Sequence, residues 1–342
     1  MFEWVNWALL EGVFMGFAKF GHGMVGSMSP TLFHVLFATA FVGIVQTMFG
    51  YIVLKARGVK LEEYRGPYRV NALVFGVCAL AATICAFAAF RMGSRADMAA
   101  NTFISSTLAI APLAVLGRIL FQERLGTKQW IGIGVAISGV YVTLVPSFGG
   151  DGIPVWVWWS AGTMIFSAAT ETVSRWQAQW ERNNRKPKLD PLVLQFWGGL
   201  GMAVPALLAF IFGGWFFEAP EVIADILTSA LLLIYALAVA GCNIAWWWFR
   251  LRAFQKEAPL CFKKFPSVFA YLVVATAGGI LLFHDPLSWT KLGIFLFAPA
   301  FLLGQKGAWE YGMSVSKRFF PATALQRPSE EQQRGEIAVL IK

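Results

Sequence analysis

Apolar residues in this chain fall into ten long runs separated by short polar loops. The runs cover approximately residues 3–22, 31–54, 69–90, 97–121, 127–146, 154–178, 191–216, 226–249, 258–283 and 287–310. Each approaches the roughly 20 residues that a helix needs to cross a ~30 Å hydrocarbon core. Lipid offers backbone amides no hydrogen-bond partners, so a spanning segment must be a helix or a strand of a closed barrel. Barrel strands alternate apolar and polar positions over ~10 residues, and these runs do not. The pattern predicts an all-α integral membrane protein with ten transmembrane helices, its first partner being the lipid bilayer.

The loops divide by charge. After the second run come Lys55, Arg57, Lys60, Arg65 and Arg69; after the fourth, Arg124 and Lys128. After the sixth come Arg182, Arg185, Lys186 and Lys188, and around the end of the eighth Arg250, Arg252 and Lys256. The intervening loops carry only Arg91 and Arg95, Asp151, the acidic group Glu218, Glu221 and Asp225, and Asp285. Basic residues favour the cytoplasmic face, so an even number of spans puts both termini there. In a prokaryote the membrane would be the inner one. Tryptophans fit this frame, with Trp130 and Trp309 at inner ends and Trp156 and Trp289 at outer ends, where amphipathic rings are favoured.

Composition agrees: 57% of the 342 residues are hydrophobic and 14% charged, with 31 Phe and 15 Trp. A single soluble domain has no place to bury so much apolar surface. The formal charge of +9 is accounted for by the alternating loops and implies no nucleic-acid partner, since no basic patch interleaves with exposed aromatics. The four cysteines, Cys78, Cys85, Cys242 and Cys261, lie in or beside spans without metal-type spacing and read as buried thiols. His22, His34 and His284 are scattered, which implies neither a metal site nor a nucleophilic triad. No cofactor and no enzyme chemistry is expected. Met1-Phe2-Glu3 lacks a basic leader, so the first run reads as a retained span.

The two halves share a faint repeat. Trp4-Val5-Asn6-Trp7 aligns with Trp156-Val157-Trp158-Trp159, and Phe121-Gln122-Glu123-Arg124-Leu125 with Phe283-His284-Asp285-Pro286-Leu287. Glycine-bearing apolar helices follow each of the latter, at Trp130-Ile131-Gly132-Ile133 and Lys291-Leu292-Gly293-Ile294. Five spans is an odd number, so repeated halves would enter the membrane in opposite orientation, an arrangement common in secondary transporters. The expected organisation is residues 1–148 as a first five-helix unit, 149–312 as a second, and 313–342 as a polar cytoplasmic tail.

At these residues the chain resembles the EamA family of the drug/metabolite transporter superfamily. The stretch Pro112 to Pro146 carries the likeness most strongly, through Glu123-Arg124-Leu125, Gln129-Trp130-Ile131-Gly132 and Gly139-Val140. Gly12 to Lys19 is similar to the family's first span, which often ends in lysine. The resemblance implies ten helices as two inverted five-helix repeats, moving a small metabolite without a covalent cofactor. A basic residue that such proteins often carry early in the second span is absent, with His34 the nearest candidate.

Charge at membrane depth costs at least about 2.5–3.5 kcal/mol per residue and therefore marks candidate function. Glu11, Lys19, His34, Arg118, Glu171 and Lys264 are the candidate substrate-binding or path-lining residues. Glu11, Glu171, Arg118 and Lys264 are expected to converge on an inward-facing vestibule, with Glu11 or Glu171 able to carry a coupling proton. Lys19 and Glu171, at opposite depths, are not expected to pair. A competing reading lets Arg118, Arg175, Lys263 and Lys264 snorkel to the inner surface, and gives Glu123 a helix-end role with Lys128. Mixed charge suits an amino-acid-like solute, carried by proton coupling or exchange. Dominance of Lys19, Arg118, Lys263 and Lys264 suits an organic-anion or phosphorylated-solute exchanger. A non-transporting assembly subunit would instead be a dry, closed bundle. Pro112, Pro205, Pro266 and Pro299 allow kinks, and Gly198, Gly199, Gly201, Gly278 and Gly279 allow close helix packing.

Overall fold

In the computed structural model the described residues are 3–93, 104–144, 153–217, 225–226, 229–283 and 300. The tenth run, 287–310, the tail beyond 313 and the motif around Asp285 lie outside them, residue 300 apart. The helices are α1 (Glu3–Ser27), α2 (Leu32–Ala56), α3 (Pro67–Met92), α4 (Ile110–Phe121), α5 (Thr127–Leu144), α6 (Val155–Asn183), α7 (Pro191–Phe217), α8 (Ala230–Gln255) and α9 (Leu260–Phe283). A one-turn 3-10 helix, Leu61–Tyr64, precedes α3.

Five of these segments are long and apolar enough to cross a bilayer: Leu32–Ala56, Pro67–Met92, Ile104–Phe121, Pro191–Gly213 and Ala230–Gln255. The chain is thus a multi-pass helical membrane protein. The outer surface supports this. On α3, Val70, Val74 and Val77 face outward, and Ala72, Phe75, Gly76 and Ala79 on the opposite side are buried. Val204, Leu208, Ile211 and Phe212 of α7 and Leu231, Ile234 and Leu237 of α8 are likewise exposed. An apolar belt of that extent is stable against acyl chains, not against water. Helices α1, α6 and α9 have 25, 29 and 24 residues but mix charge into their apolar faces. Away from the helix ends these charges are buried: Glu11 and Lys19, Glu171 and Arg175, Lys263 and Lys264.

The fourth run illustrates how a single residue shapes the path. Residues 104–107 are helical, the backbone turns at 108–109, and α4 starts at Ile110. Pro112 has no N–H, and its ring crowds the carbonyl four residues back, at Leu108. The break therefore falls where the proline dictates.

Between lipid-solvated helices there is little hydrophobic drive, and close van der Waals contact must supply the adhesion. Glycines provide it. Helix α2 crosses α7 with Gly43 against Ala203 and Gly50 against Phe196; a Cβ on either glycine would fall 2.7 Å from backbone nitrogen. A Cβ at Gly76 of α3 would lie 2.1 Å from the Gly198 carbonyl oxygen of α7. Gly12 of α1 meets the Ser267 carbonyl of α9 in the same manner, at 2.0 Å. Gly198, Gly199, Gly201 and Gly278 thus do serve packing. Principal helix contacts are α2 with α7, α1 with α8, α3 with α6, and α1 with α9.

Gly76→Val should overpack the α3–α7 seam and destabilise the protein by about 1–3 kcal/mol. Gly134→Ala, whose Cβ would meet nothing within 4 Å, should leave stability near wild type. Thermal melts of both variants in detergent check the contrast.

Candidate functional site

Helices α8 and α9 are joined by a turn that sets the site. At the end of α8 the Ala258 N–H bonds to the Ala253 carbonyl and the Glu257 N–H to that of Phe254. Glu257 itself takes a left-handed backbone, φ 66°. This is the Schellman arrangement, which stops a helix abruptly. Helix α9 then begins at Leu260, whose free N–H donates to Glu123 Oε1 at 2.8 Å. The tight return brings Arg250, at the end of α8, beside Lys263 and Lys264 at the start of α9.

These three cations meet two carboxylates. Lys263 Nζ lies 2.6 Å from Glu11 Oε2 on α1 and also bonds Glu171 on α6. Arg250 donates from Nε to Glu11 Oε1 at 3.0 Å and from Nη1 to the Thr170 hydroxyl at 2.6 Å. Its Nη2 stands 3.2 Å from Glu171 Oε1 without making a hydrogen bond. Lys264 donates to that same oxygen at 3.3 Å. Trp246 Nε1 donates to Glu11 at 3.3 Å, and the Arg250 guanidinium lies over the Trp246 ring. All five charged side chains are at most 2% exposed. Uncompensated, each would be forbidding to bury; together they neutralise much of one another.

Beside the cluster is a cavity of about 40 Å³, measured as space open to the centre of a water molecule. By the usual requirement of ~10–15 Å³ each, it has room for about three waters. Its wall comes from α1 (Met15, Lys19, His22), α3 (Thr83), the helical residues 104–107 (Ser105, Ser106), α6 (Thr163, Ser167, Thr170), α8 (Asn243, Trp246, Arg250) and α9 (Lys264, Tyr271). Lys19 is buried there with its ammonium 5.8 Å from the Phe90 ring centroid, and the charges of Lys19 and Lys264 act on each other. Both ring nitrogens of His22 and the Asn243 side-chain oxygen are buried without hydrogen-bond partners among the described residues.

Sequence reasoning placed Glu11, Glu171 and Lys264 in one cluster, and the structure brings them together. Arg118 does not join; it is exposed on α4. It faces outward because the inner face of α4 is taken by Leu113, Ala114 and Gly117. His34 lies apart at the start of α2, bonded to Thr31 Oγ1 at 2.9 Å and 3.7 Å from Asp225. Lys19 and Glu171 make no ion pair with each other, although Lys19 and Thr170, the neighbour of Glu171, border the same cavity. Lys263 and Lys264 do not snorkel; buried carboxylates hold them. Arg175 is turned to Glu123, 3.5 Å away, and lies over the Phe121 ring. Glu123 does serve a helix end, but that of α9, with Arg175 in the place expected for Lys128.

Arg250 was the residue that loop counting hid, since it was grouped with the basic loop after the eighth run. Its spacing held the signal. Asn243, Trp246, Trp247 and Arg250 follow a helical i, i+3, i+4, i+7 pattern, as do Ser167, Thr170, Glu171 and Ser174 on α6.

No family model matches this chain, and no curated protein does. A solved crystal structure, described only as that of a protein, is similar to it with a TM-score of 0.58 at 19% identity, covering 87% of this chain and 97% of the other. The likeness concerns the fold alone: the helical arrangement is one that a solved protein also adopts.

Lys263→Met should be among the most destabilising single changes, by about 3–5 kcal/mol, because it strands two buried carboxylates. Adding Glu11→Gln should recover part of that loss. A double-mutant cycle of melting or denaturant midpoints measures the coupling.

Proposed function

We propose that this protein is a secondary transporter of a small polar solute, working by alternating access in the manner of the EamA-type drug/metabolite transporters. One observation carries the reading: a cavity bordered by charged and hydroxyl side chains, among apolar helices, whose wall draws on both α1–α4 and α6–α9. A closed assembly subunit has no use for unpaired buried polar atoms around water-sized space, and a solute path does.

The packing pattern supports two inverted halves. If α1–α5 correspond to a second set that starts at α6, exchanging the halves turns the α1–α8 contact into α6–α3. It leaves α2–α7 as itself. Both are among the most extensive contacts in the protein. Along α2 and α7 the partners run antiparallel, Gly43 to Ala203, Thr47 to Gly199 and Gly50 to Phe196, as opposed orientations require. In this reading both termini face the cytoplasm, and Glu11 and Glu171, already held by three cations, exchange partners as the path changes sides. A proton or a counter-solute drives the cycle.

Thr83, on the cavity wall, offers a direct test. In a background lacking Cys78, Cys85, Cys242 and Cys261, Thr83→Cys in proteoliposomes should react with an impermeant thiol reagent in a manner that a transported solute changes. Labelling that no tested solute alters, together with no flux of any metabolite class, would refute transport.

A further inference from the structure

The cavity wall is charged with one sign. Lys19, Lys264 and Arg250 line it, and among its described residues there is no Asp or Glu. Glu11 and Glu171 are turned behind the wall, locked to Lys263, which does not line the cavity. Counting the neighbourhood as a whole, four cations face two carboxylates. Two positive charges are therefore left over among the described residues around the cavity. A zwitterion such as an amino acid would find no carboxylate for its ammonium group. A compact anion would find three cationic side chains, with the Ser167 hydroxyl close by.

The contacts also separate firm from loose partners. Lys263 is bound tightly to both carboxylates. Lys264 reaches Glu171 Oε1 only at 3.3 Å, and Arg250 Nη2 stands 3.2 Å from the same oxygen without a hydrogen bond. One carboxylate oxygen is thus shared by exactly those two cations of the cluster that border the cavity.

We propose that the transported solute is a small organic or inorganic oxyanion, held by Lys19, Lys264 and Arg250, and that Glu171 Oε1 occupies its place on Lys264 and Arg250 when the site is empty. This rests on the transporter reading and narrows it to a substrate class. Binding exchanges one oxyanion for another at the two loose contacts, while Lys263 keeps Glu171 from leaving. Lys264 and Arg250 are thus never left without a carboxylate at membrane depth, which lowers the cost of the empty state. Carboxylate and phosphate present the same acceptor geometry to a guanidinium and two ammonium groups, so both belong to the class.

Purified full-length protein in detergent, titrated with succinate, inorganic phosphate, alanine, glycerol and putrescine, tests this, with counterflow of the same compounds in proteoliposomes. Succinate or phosphate should bind, raise the melting temperature and be carried; which of the two does so separates the carboxylate and phosphate arms. Lys19→Met disturbs no ion pair and should stay folded while weakening anion binding roughly tenfold or more, as expected for losing a charge-assisted contact. Glu171→Gln should tighten anion binding severalfold, because the internal competitor loses its charge; if it fails to fold, Glu171→Asp, which draws Oε1 back from the wall, should tighten binding in the same direction. Binding and flux of glycerol, alanine or putrescine, with succinate and phosphate inert, would overturn the anion assignment and leave transport standing. Flux of none of the five, with Thr83→Cys unreactive from either face, would instead strike the transporter reading. Anion binding that is unchanged in Lys19→Met, or weakened in both Glu171 variants, would overturn the binding set or the competitor role respectively.

Discussion

The bridge from Lys263 to Glu11 and Glu171 is the interaction on which this architecture turns. It joins α1, α6 and α9 through side chains buried from the surface. Each carboxylate, isolated, would be too costly to bury, and so would the lysine. Their mutual satisfaction allows three helices that carry charge to be packed as tightly as apolar ones. Arg250 then extends the network to α8 and, through Thr170, back to α6. The site and the scaffold are in this sense the same structure.

That coupling explains why the glycines matter. Ion pairs of this kind need distances near 3 Å, and such distances are met only if the helix backbones stand close. Gly12 brings α1 onto the Ser267 carbonyl, a turn beyond Lys263 and Lys264 on α9, and so aligns Glu11 with its partners. The Schellman turn at Glu257 and the Glu123 cap at Leu260 fix the start of α9 to the residue. Local backbone chemistry, helix packing and electrostatics all converge on the placement of two lysines.

Much of the fold was legible because lipid imposes simple rules. Apolar run lengths located nine helices in the described residues, with ends off by several positions where charged residues continued a helix beyond the expected interface. Helix α8 runs to Gln255 and α6 to Asn183, since Arg250 and Glu181 are buried by protein and not left at a membrane boundary. Glu11, Glu171 and Lys264 stood out because isolated charge in an apolar run has few explanations. Arg250 did not, because proximity to other basic residues made it look like part of a loop. Arg118 misled for the complementary reason: depth along a helix says nothing about which side of it faces inward. The hydroxyl-lined cavity was invisible to composition, as serine and threonine are equally at home bonding their own helix carbonyls. Only the spacing of Ser167, Thr170, Glu171 and Ser174 hinted at a wetted face.

The seam between α2, α3 and α7 carries a mechanical implication. At Gly43, Gly50, Gly76 and Gly198 backbone meets backbone with no side chain between. Such a contact has no slack for lateral sliding, since any shift drives an adjacent Cβ into a carbonyl. Any displacement of these helices would therefore favour rotation about the seam, as about a fulcrum, over sliding along it. Levers pivoted there sweep furthest at the rims of the bundle and least at its waist.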